Sequence, residues 1–388
     1  MQPLQDVRVV ELGSSLAGAF CGKLLATFGA EVVKVEPPAG DRIRSLGPFA
    51  NDRPDDETSL PFVYLNTGKL GVTLAPPRSS TTARELLYRL LDGADVVIDS
   101  FGPGGMQYPE LERTAPGLIL TAISSFGTEG PYCHYLDGEL VLLALGGLLN
   151  MVGEPDREPL RLGGYQAQYV TGLAAFTGTM AALYQRDLSG RGQRVEVSAQ
   201  ETVAFVEWKS GIYYQGNGQL RRRGGREAQW VVLRASDGFV AFVYQDENWP
   251  GVAGLIGDPR LDDTRFATRQ GRLSAREELR TILESWTRSR TKTYIYHAAQ
   301  ACGVPVGMVA DVADLVGSPQ YAARQFFEQI DHPTTGAVAY PGSPCSFDGV
   351  RATTDRAPLL GEHNRVIFED RLGVAPGDLV RLRERGVV

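Results

Sequence analysis

The sequence predicts an α/β protein: a large domain built on a mostly parallel sheet with helices on its faces, and a smaller α+β domain. Three observations carry this. Strand-like and helix-like segments alternate from residue 7 to residue 198. After a polar, glycine-rich stretch at 215–225 the pattern changes to a hairpin followed by several helices. At 388 residues the chain also exceeds what one ordinary core accommodates.

Residues 7–12 are apolar enough to be a buried strand, and the small-residue turn Gly13-Ser14-Ser15 leads into a helix over 16–28. Gly29 stops that helix, and Glu31 to Glu36 is a second strand ended by Pro37-Pro38. This is a βαβ unit whose turn lacks Gly-x-Gly-x-x-Gly, so a dinucleotide fingerprint is absent, although its backbone amides still face an anion. A strand near 72–74, a helix over 82–91 and strands at 95–98 and 118–124 continue the alternation. In such sheets ligands bind beyond the carboxyl ends of the strands. That rule selects the turns at 13–15, 100–104 and 125–131, each of which also reads as plain Gly and Pro punctuation.

The stretch 161–172 reads as a strand-like lead into a helix, with Phe176, Met180 and Leu183 at helical spacing among small residues. Gly190 to Gly192 ends this helix, Arg194 to Ser198 alternates as a strand, and a helix over 200–210 runs into the linker. Beyond it, 230–233 and 239–244 form a hairpin through Ser236-Asp237-Gly238. Helices follow at 249–256, 275–287 and 292–301, then an extended return at 304–309 and a helix over 318–327. From Asp331 the chain is turn-rich and β-like and is expected to rejoin the first domain. The expected division is a large domain in 1–210, a linker at 211–225, a small domain in 226–325, and a return linker with the rest of the large domain in 326–388.

Composition excludes several classes. With 43% hydrophobic and 22% charged residues the chain has a globular protein's balance, and no apolar run approaches the ~18 residues of a membrane span. Residues 1–12 alternate rather than forming a basic stretch followed by an apolar one, so a cytoplasmic, unprocessed protein is expected. A net charge of −7 argues against nucleic acid as the main partner. The basic cluster at 221–226 is either a solvated loop or a flexible loop near a phosphate-bearing ligand. Four cysteines and four histidines lie scattered without ligand spacing, so neither a metal nor a disulfide framework is expected.

Taken in order, several stretches resemble the family III CoA-transferases, the CaiB/BaiF type that includes formyl-CoA transferases and α-methylacyl-CoA racemases. The resemblance rests on Val9-Val-Glu-Leu12, Ala17-Gly18, residues 24–36, Gly40-Asp41 and Asn66-Thr-Gly-Lys69. It continues through Phe101-Gly-Pro-Gly104, Gly153-Glu-Pro155, Thr171-Gly172, Gly190-Arg-Gly-Gln193, Asn248-Trp249, residues 262–269, Gly303 to Gly307 and Pro358 to His363. It implies a Rossmann-like large domain, a small domain joined by two linkers, and two subunits interlocked like links of a chain. It implies no covalently bound cofactor; coenzyme A or an acyl-CoA is the substrate, with Ser14, Ser15, Ala17, Ser100 and Gly102 as its contacts. A basic residue frequent in the family is replaced by Pro37, so a phosphate contact is absent or comes from elsewhere. The glycine-rich stretch 216–225 stands where the family carries a lid.

At the catalytic position the chain departs from this pattern. Family transferases carry an Asp three residues before the Thr-Gly pair; its carboxylate attacks the thioester to give a mixed anhydride and then an aspartyl-CoA thioester. Gln168 stands there, and a carboxamide forms neither intermediate. The racemase pair is missing too, since its place reads Gly138-Glu139. Four readings stay open: a neighbouring carboxylate, Glu139 or Asp137, takes over; the chain is the non-catalytic half of a heteromer with an Asp-bearing paralogue; the pocket supports hydrolysis, elimination or isomerisation of an acyl-CoA; or it only binds CoA esters. In each, Gln168 offers two N–H donors and a carbonyl acceptor. Tyr165 and Tyr169 either supply hydroxyl groups beside it or pack as wet-edged aromatics. The expected partners are a CoA ester and a carboxylic acid, in a homodimer or heteromer, without nucleic acid or membrane.

Overall fold

The structure is a computed structural model that describes residues 2–221, 223 and 230–388. Most of the basic cluster at 221–226, and with it the glycine-rich end of the 211–225 stretch, lies outside the described residues. The chain separates into two compact units, one of Met1–Asn150, Arg161–Arg221 and Gln325–Val388, the other of Met151–Leu160 and Arg222–Arg324. Among the described residues no helix is long and apolar enough to cross a membrane.

The first unit is built on a six-stranded sheet whose pairings are all parallel, as the alternating pattern predicts. Its strands are β1 (Arg8–Leu12), β2 (Glu31–Glu36), β3 (Lys69–Thr73), β4 (Val96–Asp99), β5 (Ile119–Ser124) and β6 (Arg194–Ser198), in the order β3-β2-β1-β4-β5-β6. Helices α1 (Leu16–Thr27), α2 (Leu60–Leu65), α3 (Thr81–Leu91), α4 (Tyr108–Thr114), α5 (Glu139–Leu145) and α6 (Gln166–Ser189) are spaced between them. Because α helices return each strand in parallel, both faces are covered and the central strands are buried and mostly apolar: Val96, Val97, Ile98, Ile119 and Leu120 are fully buried. The strand order reverses between β1 and β4. The turns after these two strands therefore diverge and leave a crevice, the place where doubly wound sheets bind ligands.

Four elements differ from expectation. Helix α6 starts at Gln166, so Gln168 lies in its first turn and the lead at 161–165 is irregular rather than a strand. The helix expected over 200–210 is two, α7 (Ala199–Val206) and α8 (Trp208–Asn217), and the second runs into the expected linker. The helix expected over 318–327 stops at Ala323, because Phe327 begins a strand paired with Pro341. The β-like tail from Asp331 contains a π-helical turn at Arg365–Arg371 and a last helix over Pro376–Glu384.

The second unit holds a three-stranded antiparallel sheet, β7 (Val231–Ala235), β8 (Gly238–Phe242) and β9 (Val306–Met308), in that order. Helices α9 (Trp249–Ile256), α10 (Arg269–Ser274), α11 (Arg276–Thr287) and α12 (Lys292–Ala301) lie between β8 and β9, and α13 (Val312–Val316) and α14 (Pro319–Ala323) follow. Leu233, Phe242, Phe266, Ile282 and Ile295 form its core. The buried guanidinium of Arg272 ties this unit together: it donates to Phe266 O at 2.8 Å, pairs with Asp246 and lies 5.1 Å over the Trp249 ring.

Hairpin strands β10 (Phe327–His332) and β11 (Gly336–Pro341), then the short pair β12 (Ser346–Phe347) and β13 (Val350–Arg351), bring the chain back to the first unit. The motif Pro358 to His363 follows them and covers the edge of β3. His363 N–H donates to Gly71 O at 2.9 Å and Gly71 N–H to His363 Nδ1 at 3.1 Å, while Asn364 Oδ1 accepts from Thr73 N–H at 2.8 Å. An edge strand so covered cannot pair with a foreign strand.

Beneath the sheet's first three strands runs a buried ionic network. Lys34 Nζ on β2 sits 3.0 Å from Glu11 Oε1 on β1 and 2.5 Å from Asp41 Oδ2, and Lys69 Nζ on β3 sits 2.7 Å from Glu11 Oε2. Lys69 also donates to Ala19 O at 2.8 Å and Asn66 Oδ1 at 2.9 Å. Arg44 grips Glu36 in a bidentate pair, at 2.6 and 2.9 Å, and reaches Glu57 at 2.7 Å. All these groups except Glu57 are nearly or fully buried. Burial alone would push the Asp41 carboxyl up, but Lys34 and the Ile43 amide hold it below its usual value.

Removing one member of such a network leaves its partners charged and buried, which costs about 3–5 kcal/mol. Glu11→Gln is therefore expected to lower unfolding free energy by about that amount, measured by urea denaturation, whereas exposed Glu110→Gln, whose pair with Arg84 lies at the surface, is expected to change it by less than about 1 kcal/mol.

Candidate active site

The crevice between the β1 and β4 turns opens into a cavity of about 740 Å³ within the first unit. Each turn presents backbone and small side chains for a reason visible in its contacts. Gly13 has φ +93°, and a Cβ there would stand 2.4 Å from Ser100 Oγ, so the two turns meet only because this residue is glycine. Ser15 caps α1 by accepting from Gly18 N–H at 2.9 Å. Ser14 interacts with Asp41 and so ties the turn to the buried network. Ser100 Oγ donates to Leu12 O at 3.1 Å, and Asp99 anchors the following loop by accepting from Phe101 N–H at 2.9 Å and from Met106 N–H. Gly102 opens a single 3-10 turn with φ +70°.

Helix α6 supplies the wall opposite these turns. It lies directly on α1: a Cβ at Gly172 would be 2.6 Å from Ala17 O, so the small residue in the Thr-Gly pair is what allows the contact. Thr171 Oγ1 bonds back to Ala167 O at 2.6 Å and is fully buried. With the helices this close, Gln168 reaches α1 and its Oε1 accepts from Ala17 N–H at 3.2 Å. That bond fixes the carboxamide's orientation. Its oxygen is used on α1, and its NH₂ is the group left for a ligand.

The first turn of α6 needs acceptors for its free amides, and Tyr165 at the N-cap provides no side-chain bond. Glu139, at the start of α5, provides them from outside the helix. Its Oε1 accepts from Ala167 N–H at 2.8 Å, and the amides of Gln166 and Gln168 also act on the carboxylate. Burial pushes the Glu139 carboxyl up, and these amides only partly counter it. Its other oxygen, Oε2, is buried without a hydrogen-bond partner.

Of the residues singled out from sequence, Ser14, Ser15, Ala17, Ser100, Gly102, Glu139, Tyr165 and Gln168 all line this one cavity. Tyr169 does not: its ring packs edge-on against Phe20 at 5.0 Å, and burial pushes its hydroxyl's pKa up. Asp137, also at the cavity, accepts from Ser125 Oγ. Sequence reasoning missed Arg42, the cationic side chain among the lining residues, and Ser124, whose buried Oγ has no hydrogen-bond partner. Arg42 was findable as the residue after Gly40-Asp41. Ser124 gave no signal beyond ending a strand. Among the described residues no group of three or more His, Cys, Asp or Glu side chains is arranged to hold a metal ion.

With this geometry in hand, comparison with known proteins is informative. A model described as CoA-transferase family III matches residues 4–364. The chain is 34% identical to succinyl-CoA–D-citramalate CoA-transferase of Chloroflexus aurantiacus, over 100% of this chain and 98% of that protein. It is also 34% identical to succinyl-CoA:(R)-benzylsuccinate CoA-transferase subunit BbsE of Thauera aromatica, over 95% of this chain and 94% of that one. A solved structure of a CAIB/BAIF family protein from Brucella suis is similar with a TM-score of 0.84 and 30% identity, covering 95% of this chain and 99% of that one.

Glu139 yields a pH prediction. A carboxyl whose folded value is raised contributes stability that is present below the ordinary value near 4.5 and is lost as pH rises through the raised one. Wild type is thus expected to lose stability relative to Glu139→Gln on going from below pH 4.5 to neutrality. Parallel thermal melts across that range measure it; a pH-independent difference contradicts the assignment.

Proposed function

The chain belongs to CoA-transferase family III, and from that premise we propose that it binds a CoA ester in the cavity between the β1 and β4 turns and serves CoA transfer between carboxylic acids. The turns at Ser14–Ala17 and Ser100–Gly102 are the proposed contacts of the CoA portion, and the first turn of α6 faces the acyl portion. The observation that carries the reading is the placement of Gln168 at the head of α6, lining the cavity with its oxygen on Ala17 N–H. A carboxylate in this place attacks a thioester carbonyl, expels CoA thiolate and forms a mixed anhydride; the thiolate then attacks the enzyme's own carbonyl in that anhydride, releasing the first acid as its carboxylate and leaving an enzyme thioester. A carboxamide nitrogen is too weak a nucleophile for that sequence. Gln168 instead donates hydrogen bonds to a substrate oxygen. Glu139 is a poor replacement, since one of its oxygens is spent on the α6 amides.

A second reading has its own support. The α6 residues Leu173, Tyr184 and Leu188 are 51%, 70% and 74% exposed and share a stripe with Thr177 and Ala181 at helical spacing. Phe205, Trp208 and Ile212 on α7 and α8 are exposed as well. Apolar exposure on this scale fits an obligate interface with another chain. One relative is itself named as a subunit. In this reading the chain pairs with a paralogue that carries the nucleophilic carboxylate, and its own cavity binds without covalent chemistry. A homodimer would cover the same stripe.

Calorimetry with CoA tests the binding proposal, and no measurable affinity, alone or with a co-purifying partner, defeats it. CoA exchange between a CoA ester and a free acid tests the role of Gln168. The wild-type chain alone is expected to be inactive, and Gln168→Asp to raise exchange by at least about a hundredfold, the scale on which one positioned catalytic group acts. Activity in the wild-type chain that Gln168→Asp abolishes would assign Gln168 to a different mechanism.

A further inference from the structure

All four cysteines are free thiols, and of these Cys133 lines the cavity. Cys21 is fully buried in α1, and burial and Glu11 push its thiol up to about 12, so it stays protonated at neutral pH. Cys302 and Cys345 are exposed, the first just past α12 in the second unit and the second between β11 and β12. Cys133 is half-buried on the loop that joins β5 to α5. That loop is pinned along its length. Ser125 Oγ donates to Asp137, Thr128 N–H donates to Glu196 Oε1 on β6 at 2.7 Å, and the rings of Tyr132 and Tyr135, which flank the cysteine in sequence, pack with centroids 4.9 Å apart. Cys133 is therefore fixed at the cavity wall. A second group marks the same wall as a ligand site. Ser124, at the end of β5 and 9% exposed, also lines the cavity, and its buried Oγ has no hydrogen-bond partner. A buried hydroxyl left unpaired costs free energy unless a ligand supplies the missing partner.

A CoA ester in this cavity brings a thioester carbonyl to a wall that carries a thiol. Cysteine is an intrinsically strong nucleophile even when only a few per cent of it is thiolate, and a bound ester is held at high effective concentration beside it. We propose that the chain has a second activity, transfer of the acyl group of a bound CoA ester to Cys133. The Cys133 thiol loses its proton to water, and the thiolate adds to the thioester carbonyl carbon. The bond from that carbon to the CoA sulfur then breaks, and CoA leaves as a thiolate that takes up a proton. One thioester replaces another, and nothing is oxidised or reduced. The Ser124 hydroxyl donates to the carbonyl oxygen, on which negative charge gathers during the addition. The product is an S-acyl enzyme in which the substrate supplies the carbonyl and the protein the sulfur. In the enzyme thioester of CoA transfer these parts are reversed, so the two activities leave different groups on the chain. The inference rests on the CoA-transferase reading for the identity of the ligand.

Peptide mapping by mass spectrometry of the full chain, with any co-purifying partner, after incubation with butyryl-CoA tests this on the wild type, where folding is not in question. The expected result is a butyryl group on Cys133 that neutral hydroxylamine removes, as it does from thioesters. Its occupancy is expected to exceed that on Cys302 or Cys345 by at least about tenfold. Exposure alone predicts the reverse order, because those two are the exposed cysteines. Desulfo-CoA, which lacks the thiol, competes for the cavity without reversing the exchange. It is expected to suppress labelling of Cys133 and to leave that of Cys302 and Cys345 unchanged. Free CoA added after labelling is expected to take the group back as butyryl-CoA. Ser124→Ala is expected to slow labelling of Cys133 by at least about tenfold, while Cys302→Ser leaves it unchanged. Equal labelling of the three cysteines overturns the proposal, as does labelling of Cys133 that desulfo-CoA fails to suppress. So does the lack of a hydroxylamine-labile group on Cys133 in a chain that calorimetry shows to bind CoA, and in that case the CoA-binding function stands. Absence of CoA affinity overturns both together.

Discussion

The buried pairing of Glu11 with Lys34 and Lys69 is the constraint on which the first unit depends. These groups sit on three neighbouring strands, and a charge so buried is tolerated only while its partners hold still. Lys34 passes the constraint to Asp41, whose carboxylate orders the turn carrying Arg42 by accepting from Ile43 N–H at 2.8 Å. Asp41 also acts on Ser14 in the β1 turn. Both rims of the cavity are thus referred to one set of charges below the sheet. Gly22 shows how tightly the set is enclosed, since a Cβ there would stand 2.0 Å from Glu11 Oε2.

Against that background, Gln168 at the head of α6 is held in a close-packed frame. The side chain accepts a hydrogen bond from Ala17 N–H, and α6 contacts α1 through Gly172. What this side chain offers the cavity is a neutral carboxamide whose oxygen is engaged by Ala17 N–H. The carboxyl that stands at this helix end is that of Glu139, which accepts from the Ala167 amide.

Much of the fold was legible in the sequence because its signals are local. The βαβ alternation, the stops at Gly29 and Gly190, and the hairpin through Ser236-Asp237-Gly238 depend on residues within a few positions of each other, and each element is found where those residues place it. The errors have a common cause in distance. Helix α6 starts early because Glu139, far upstream, supplies its cap. The helix expected over 318–327 yields to a strand because Phe327 has a partner at Pro341. At the site, family-patterned turns led to the cavity's residues, whereas Tyr169 sits beside Gln168 in sequence yet faces Phe20 in space, a separation set by the 3.6-residue helical period. Ser124 could not be found, because an unpaired hydroxyl is a property of its surroundings.

The covering of β3 by Pro358–His363 has a consequence for biosynthesis. The sheet joins β1 to β4 across an intervening βαβ unit, and its outer edge is completed only by His363 and Asn364. Long-range parallel pairing of this kind forms slowly, and a ribosome must deliver residues through Asn364 before the β3 edge closes. The second unit, by contrast, is drawn largely from 222–324 and has its sheet and helices from one continuous stretch plus a short upstream segment. Vectorial synthesis therefore exposes an unsealed β3 edge until His363 and Asn364 have emerged. During that interval nascent chains are most open to edge-to-edge association, and chaperone demand should peak there.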